Sequence, residues 1–103
     1  MGVMTKTRQI TVGEREFTLH ACPAIGLAAI GGTFAEIGTG SNAGLEALTD
    51  GIYYGVKRGA QADATITRDF FAWNIDATNV GALIEAFAEV NGAVLKEPAP
   101  GEA

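Results

Sequence analysis

The segment Arg8-Gln9-Ile10-Thr11-Val12-Gly13-Glu14-Arg15-Glu16-Phe17-Thr18-Leu19 holds two short arms of alternating apolar and polar residues joined by Gly13-Glu14. Alternation of this kind is the signature of a strand with one covered face. A two-residue turn at Gly13-Glu14, glycine first, sets Val12 opposite Arg15 and Ile10 opposite Phe17. That register gathers Ile10, Val12, Phe17 and Leu19 on one face and leaves Thr11, Glu16 and Thr18 on the other. An isolated hairpin is marginal in water, so its apolar face must dock on the rest of the chain.

Beyond the hairpin the chain reads as helices. Pro23 suits a first helical position, and Leu27, Ile30, Phe34 and Ile37 repeat at helical spacing up to Gly38-Thr39-Gly40. Gly31 and Gly32 weaken that helix by about 1 kcal/mol each against alanine, so it depends on tertiary contacts. Ser41 or Asn42 caps a second helix, with Leu45, Leu48, Ile52 and Val56 as its stripe. Lys57 and Arg58 fall in its last turn, where cations suit the dipole, and Gly59 closes it. Gly51, Gly55 and Gly59 recur every four residues, a spacing that lets another backbone come close. Tight packing within the chain and a contact between subunits both fit it. Gly59 to Ile66 reads as a loop. Thr67 caps a short helix carrying Phe70, Phe71 and Trp73, and Thr78 or Asn79 caps a last one with Val80, Leu83, Ile84, Phe87 and Val90 as its stripe. Asn91-Gly92 ends it.

The expected fold is therefore α+β, mainly α: an N-terminal β-hairpin followed by about four helices packed as a small bundle. The expected organisation is a flexible N-terminus over 1–7, one domain over 8–92 and a flexible tail over 93–103. The 103 residues suit one such domain, and 48% apolar content suits a folded chain.

Charge and composition narrow the function. With 12 acidic against 7 basic residues the net charge is −5, which opposes nucleic acid and anionic membranes. The stretch Phe17 to Ala35 carries no Asp, Glu, Lys or Arg, but Pro23, Gly26, Gly31 and Gly32 interrupt it, and no membrane span is expected. Met1 to Gln9 has no apolar run of the signal-peptide kind. The single cysteine, Cys22, allows no intramolecular disulfide and suits a reducing cytoplasm.

Reactive chemistry is sparse. His20 and Cys22, two apart at the hairpin's end, have the spacing of a strand-borne nucleophile and base but lack a third orienting group. One histidine and one cysteine are too few for a zinc site. The glycine-rich Gly38 to Gly44 lacks the lysine of a phosphate loop. Asp63, Asp69 and Asp76 read as turn and cap residues. No catalytic residue, cofactor or metal is expected, and the chain reads as non-enzymatic. From Phe17 to Val56 the only charged residues are Glu36, Glu46 and Asp50, an unusual surface for full solvation. A contact with another chain is expected there. Trp73, crowded by Phe70 and Phe71, belongs either to the core or to such a contact.

The hairpin Ile10 to Leu19, the run Gly44-Leu45-Glu46-Ala47-Leu48, the segment Ile66 to Asp76 and the closing Val80 to Gly92 together resemble the small tail assembly chaperones of long-tailed bacteriophages and prophages. The resemblance covers about residues 8–92. The Gly31-Gly32 pair and the glycine spacing of the second helix depart from the family's pattern. The resemblance implies a protein of the host bacterial cytoplasm that holds the tape measure protein, helps recruit tail tube protein, and is absent from the mature virion. Such a holder needs an apolar or Gly/Ala-lined face. The contact residues expected for it are Phe34, Ile52, Tyr53, Tyr54, Phe71 and Trp73. The rival expectation is a structural tail component, a ring or connector subunit kept in the virion, with the glycine-lined helix as the contact of a homo-oligomer.

Overall fold

A computed structural model describes residues 6–92. The flexible termini expected over 1–7 and 93–103 lie, apart from Lys6 and Thr7, outside the described residues. Strands β1 (Arg8–Val12) and β2 (Arg15–Leu19) pair antiparallel, with Val12 opposite Arg15 and Ile10 opposite Phe17. The turn holds both Gly13 and Glu14 at positive φ, 57° and 68°. That is the mirror-image geometry whose twist matches a strand pair, and glycine accepts it freely. Ile10, Val12, Phe17 and Leu19 are all buried.

Four α-helices come next: α1 (Ala24–Ile30), α2 (Asn42–Lys57), α3 (Arg68–Asn74) and α4 (Val80–Val90). The fold is the expected hairpin followed by helices. One boundary differs. The single helix expected from Pro23 to Ile37 breaks at Gly31, whose φ of 62° and ψ of −138° suit glycine alone, and Gly31–Glu36 continues as a 3-10 helix. The buried positions of α1 are Gly26 and Ile30, four apart, so Leu27 turns outward instead of joining Ile30.

Local chemistry places the other helix ends. The Ser41 hydroxyl accepts the Gly44 N–H at 3.0 Å, and the Thr67 hydroxyl accepts the Phe70 N–H at 3.1 Å. Each such cap is worth about 1 kcal/mol. The first turn of α4 has no side-chain cap, contrary to expectation. Asn79 instead accepts the Asp76 N–H at 2.8 Å and donates to the Asn74 carbonyl at 2.9 Å, tying α3 to α4. Two copies of Asp-Ala-Thr, at 63–65 and 76–78, make the same turn: the aspartate accepts both the N–H and the hydroxyl of the threonine. These bonds hold the Asp63 and Asp76 carboxyls below the usual carboxylate range.

Helix α2 is the axis of the molecule. A Cβ built at Gly51 would lie 2.4 Å from the Phe87 ring, one at Gly55 2.6 Å from the His20 carbonyl oxygen, and one at Gly59 2.3 Å from the His20 ring. The glycine stripe is thus filled by the chain's own α4 and hairpin exit. The Gly55 carbonyl, one of those left unpaired at a helix end, accepts the His20 N–H at 3.0 Å. Nearby, Lys57 donates to the carbonyls of Asp63 (2.5 Å) and Ile66 (3.2 Å), and Arg58 donates to that of Ala21 at 3.0 Å. The last turn of α2 therefore pins both the hairpin exit and the loop after it.

Candidate protein-interaction surface

The six residues expected to touch a partner separate into inside and outside. Ile52 and Phe71 are 0% exposed and belong to the core, which corrects their assignment to a contact face. Helix α2, which carries Ile52, packs on β2 and α4, and the Phe71 ring lies 5.1 Å from that of Phe17 in the hairpin, so both apolar side chains are worth more inside than out. Phe34 is half-buried with its ring centroid 5.5 Å from that of Phe87, so most of its use is internal. Tyr53 and Tyr54 are half-buried at the surface, their rings edge to face at 4.8 Å. Trp73 is 84% exposed.

The reason for Trp73's position lies in the period of α3. Phe71 fills the core and Phe70 packs edge-on against Phe17 at 5.7 Å, with the Arg15 guanidinium over both rings of that pair. Two residues beyond Phe71, a helix has turned about 200°, so the Trp73 side chain leaves on the far side. Ile25 (65%), Leu27 (45%) and Leu45 (42%) are exposed as well. Sequence reasoning missed Ile25 as a surface residue and put Leu27 and Leu45 in core stripes. The usable signal was glycine. Gly26 and Gly44 face tight neighbours, Tyr54 and the Glu36 carbonyl, which swings the residues beside them away from the core.

Two open grooves flank the outer side of α2. One, of 410 Å³, lies between α2 and α3 and is lined by Leu45, Thr49, Ala72 and Ile75. Arg68 crosses it, donating Nε to Asp50 at 2.5 Å and Nη2 to Glu46 at 2.6 Å. The bond to Asp50 leads in holding the Arg68 guanidinium above its ordinary pKa. The other groove, of 330 Å³, lies between α1 and the C-terminal half of α2, walled by Pro23, Ile25, Tyr53 and Tyr54 and edged by Lys57 and Arg58. Among the described residues neither of these cations is in an ion pair; those present are Arg8 with Glu89 and Arg68 with Glu46 and Asp50.

The reactive candidates are not assembled. The His20 ring lies against Gly59 and lines a cavity with Arg15, Glu16 and Asp63, while the Cys22 sulfur lies against Gly26. Cys22 is buried, and burial, helped by the Asp50 charge and opposed by Arg58, pushes its thiol up to about 11. A thiol so raised is a poor source of thiolate. Among the described residues no group of three His, Cys, Asp or Glu is placed to hold a metal ion, and no helix is long and apolar enough to cross a membrane. The chain matches no protein-family model, no curated protein and no solved structure.

Proposed function

We propose that this protein is a tail assembly chaperone of a long-tailed phage or prophage, holding apolar helical segments of the tape measure protein while tail tube protein is recruited. The observation that carries the reading is the outward placement of Trp73 beside a well-packed Phe70 and Phe71. A large aromatic ring in water is the kind of anchor that dominates protein interfaces. Ile25, Leu27 and Leu45 extend the same character over the outside of the bundle. The net charge of −5 supports solubility for a holder of sticky segments. The hairpin-plus-helices fold and the local patterns around Gly44–Leu48 and Ile66–Asp76 support the family.

Co-expression with the tape measure protein encoded beside it tests the proposal. Its soluble yield rises and the two co-purify; unchanged yield and no co-purification would refute the role. Mass spectrometry of purified particles distinguishes the rival. A chaperone is missing from them, whereas a ring or connector subunit is present. The rival has also lost its structural motive, because Phe87 and His20 occupy the glycine stripe it would use as a subunit contact.

A further inference from the structure

We propose that the groove between α1 and the C-terminal half of α2 takes an acidic, amphipathic helical segment of a partner protein, seating an apolar side chain against Tyr53, Tyr54 and Ile25 and a carboxylate on Arg58. The inference rests on the protein-binding reading above and adds the chemistry of the bound segment.

The contrast between the two grooves carries it. Both have an apolar wall and a cation at the edge. In the α2–α3 groove the cation is satisfied: Arg68 is held by both Glu46 and Asp50. In the α1–α2 groove it is not. Arg58 gives one N–H to the Ala21 carbonyl, and Lys57 gives its bonds to the carbonyls of Asp63 and Ile66. Those partners are neutral, and neither cation has a carboxylate in contact among the described residues. The Lys57 ammonium is turned to the 63–66 loop, where it acts on the Asp63 carboxylate, which leaves Arg58 as the charge offered at the edge of the apolar wall. A guanidinium carries five N–H donors in a planar fork, which leaves Arg58 able to grip a carboxylate with two of them.

The apolar part fits the same occupant. Ile25 is 65% exposed, and the two tyrosines meet edge to face at 4.8 Å, a preformed wall requiring little side-chain ordering. A groove of 330 Å³ is at the small end of binding sites, suited to one or two side chains of a helix laid across it rather than to a whole ligand. The attraction is local: the only charged residues between Phe17 and Val56 are acidic, so the bound segment meets a favourable charge at Arg58 and not along the rest of α2.

The probe is a peptide of about 15 residues, long enough to form a helix, with leucines at helical spacing flanked by glutamates. Its counterpart has lysines in place of the glutamates. Amide shifts of the full chain are tracked during titration. The glutamate peptide moves Ile25, Tyr53, Tyr54, Arg58 and Gln61, and the lysine peptide does not. Arg58→Glu weakens the glutamate peptide about tenfold or more and improves the lysine peptide. Arg58→Gln, which keeps a polar side chain, weakens the first without gaining the second, and it serves as the test if Arg58→Glu unfolds. Equal binding of both peptides, shifts confined to Leu45, Ala72 and Trp73, or no peptide binding overturns the inference. So do shifts at the groove that appear on concentration alone, which give it to a second copy, or shifts produced only by phosphatidylserine vesicles. Tape measure co-purification with no peptide binding would remove the groove assignment and leave the chaperone reading. Peptide binding at the groove without co-purification would do the reverse.

Discussion

The two sides of α2 solve opposite problems. The inner side replaces side chains with glycine, so that Phe87, the His20 backbone and the His20 ring press directly on the helix. The outer side carries Leu45, Tyr53, Tyr54 and Lys57 and leaves open grooves on both flanks. Close packing on one side and unfilled space on the other belong together in a domain this small. The inner contacts concentrate stability near the hairpin and α4, which frees the outer surface to be shaped for something other than folding. The lesson is that a glycine stripe marks where the chain closes on itself, and the bulky residues off that stripe mark where it does not.

The largest effect expected from breaking this comparison is on the inner side. Phe87→Ala removes the fully buried ring that sits on Gly51, and about 3–5 kcal/mol of stability goes with it. Thermal unfolding would show a fall of many degrees, since each kcal/mol moves a domain of this size by about 4–8 °C. Next comes Gly55→Ala. The added methyl meets a backbone carbonyl that cannot swing aside, so overpacking costs about 1–3 kcal/mol despite alanine's better helix propensity. Amide exchange in β1 and β2 should speed up, because the His20 N–H to Gly55 bond is displaced. Gly59→Ala sharpens the point: it meets a half-buried imidazole that can rotate away, and its cost should be clearly smaller than that of Gly55→Ala.

A pH test probes the seam where the two sides meet. The Cys22 thiol ionises near 9.0 when unfolded and near 11 in the fold. Between those values the unfolded chain holds fewer protons, so stability falls as pH rises through the window. Urea midpoints from pH 8 to pH 11 should decline more steeply for the natural chain than for Cys22→Ala. Equal slopes would mean that the thiol is not held in the interior. The smallest effect on stability belongs to the outer surface. Trp73→Ala should change it by no more than about 0.5 kcal/mol. Under the proposed chaperone role the same substitution should sharply reduce the amount of tape measure protein that co-purifies. A large loss of stability would make Trp73 a core residue in solution.

Much of the architecture was legible in the chain. The period-two pattern about Gly13-Glu14 determined the hairpin and its register, because a two-residue turn admits only one pairing that puts four apolar side chains on a common face. Ser41 and Thr67 determined where two helices begin, since a hydroxyl in reach of a free N–H is a local matter. Only the tertiary structure decided which apolar residues would be covered. Ile52, Phe71 and Trp73 look alike as candidate anchors, yet the first two are sealed inside and the third stands in water. Helical spacing tells which residues share a side but not which side a neighbour will press against. That choice fell to Gly26, Gly44, Gly51 and Gly55, where missing side chains let distant parts of the chain approach, and closeness between segments far apart in sequence is settled only when the whole domain packs.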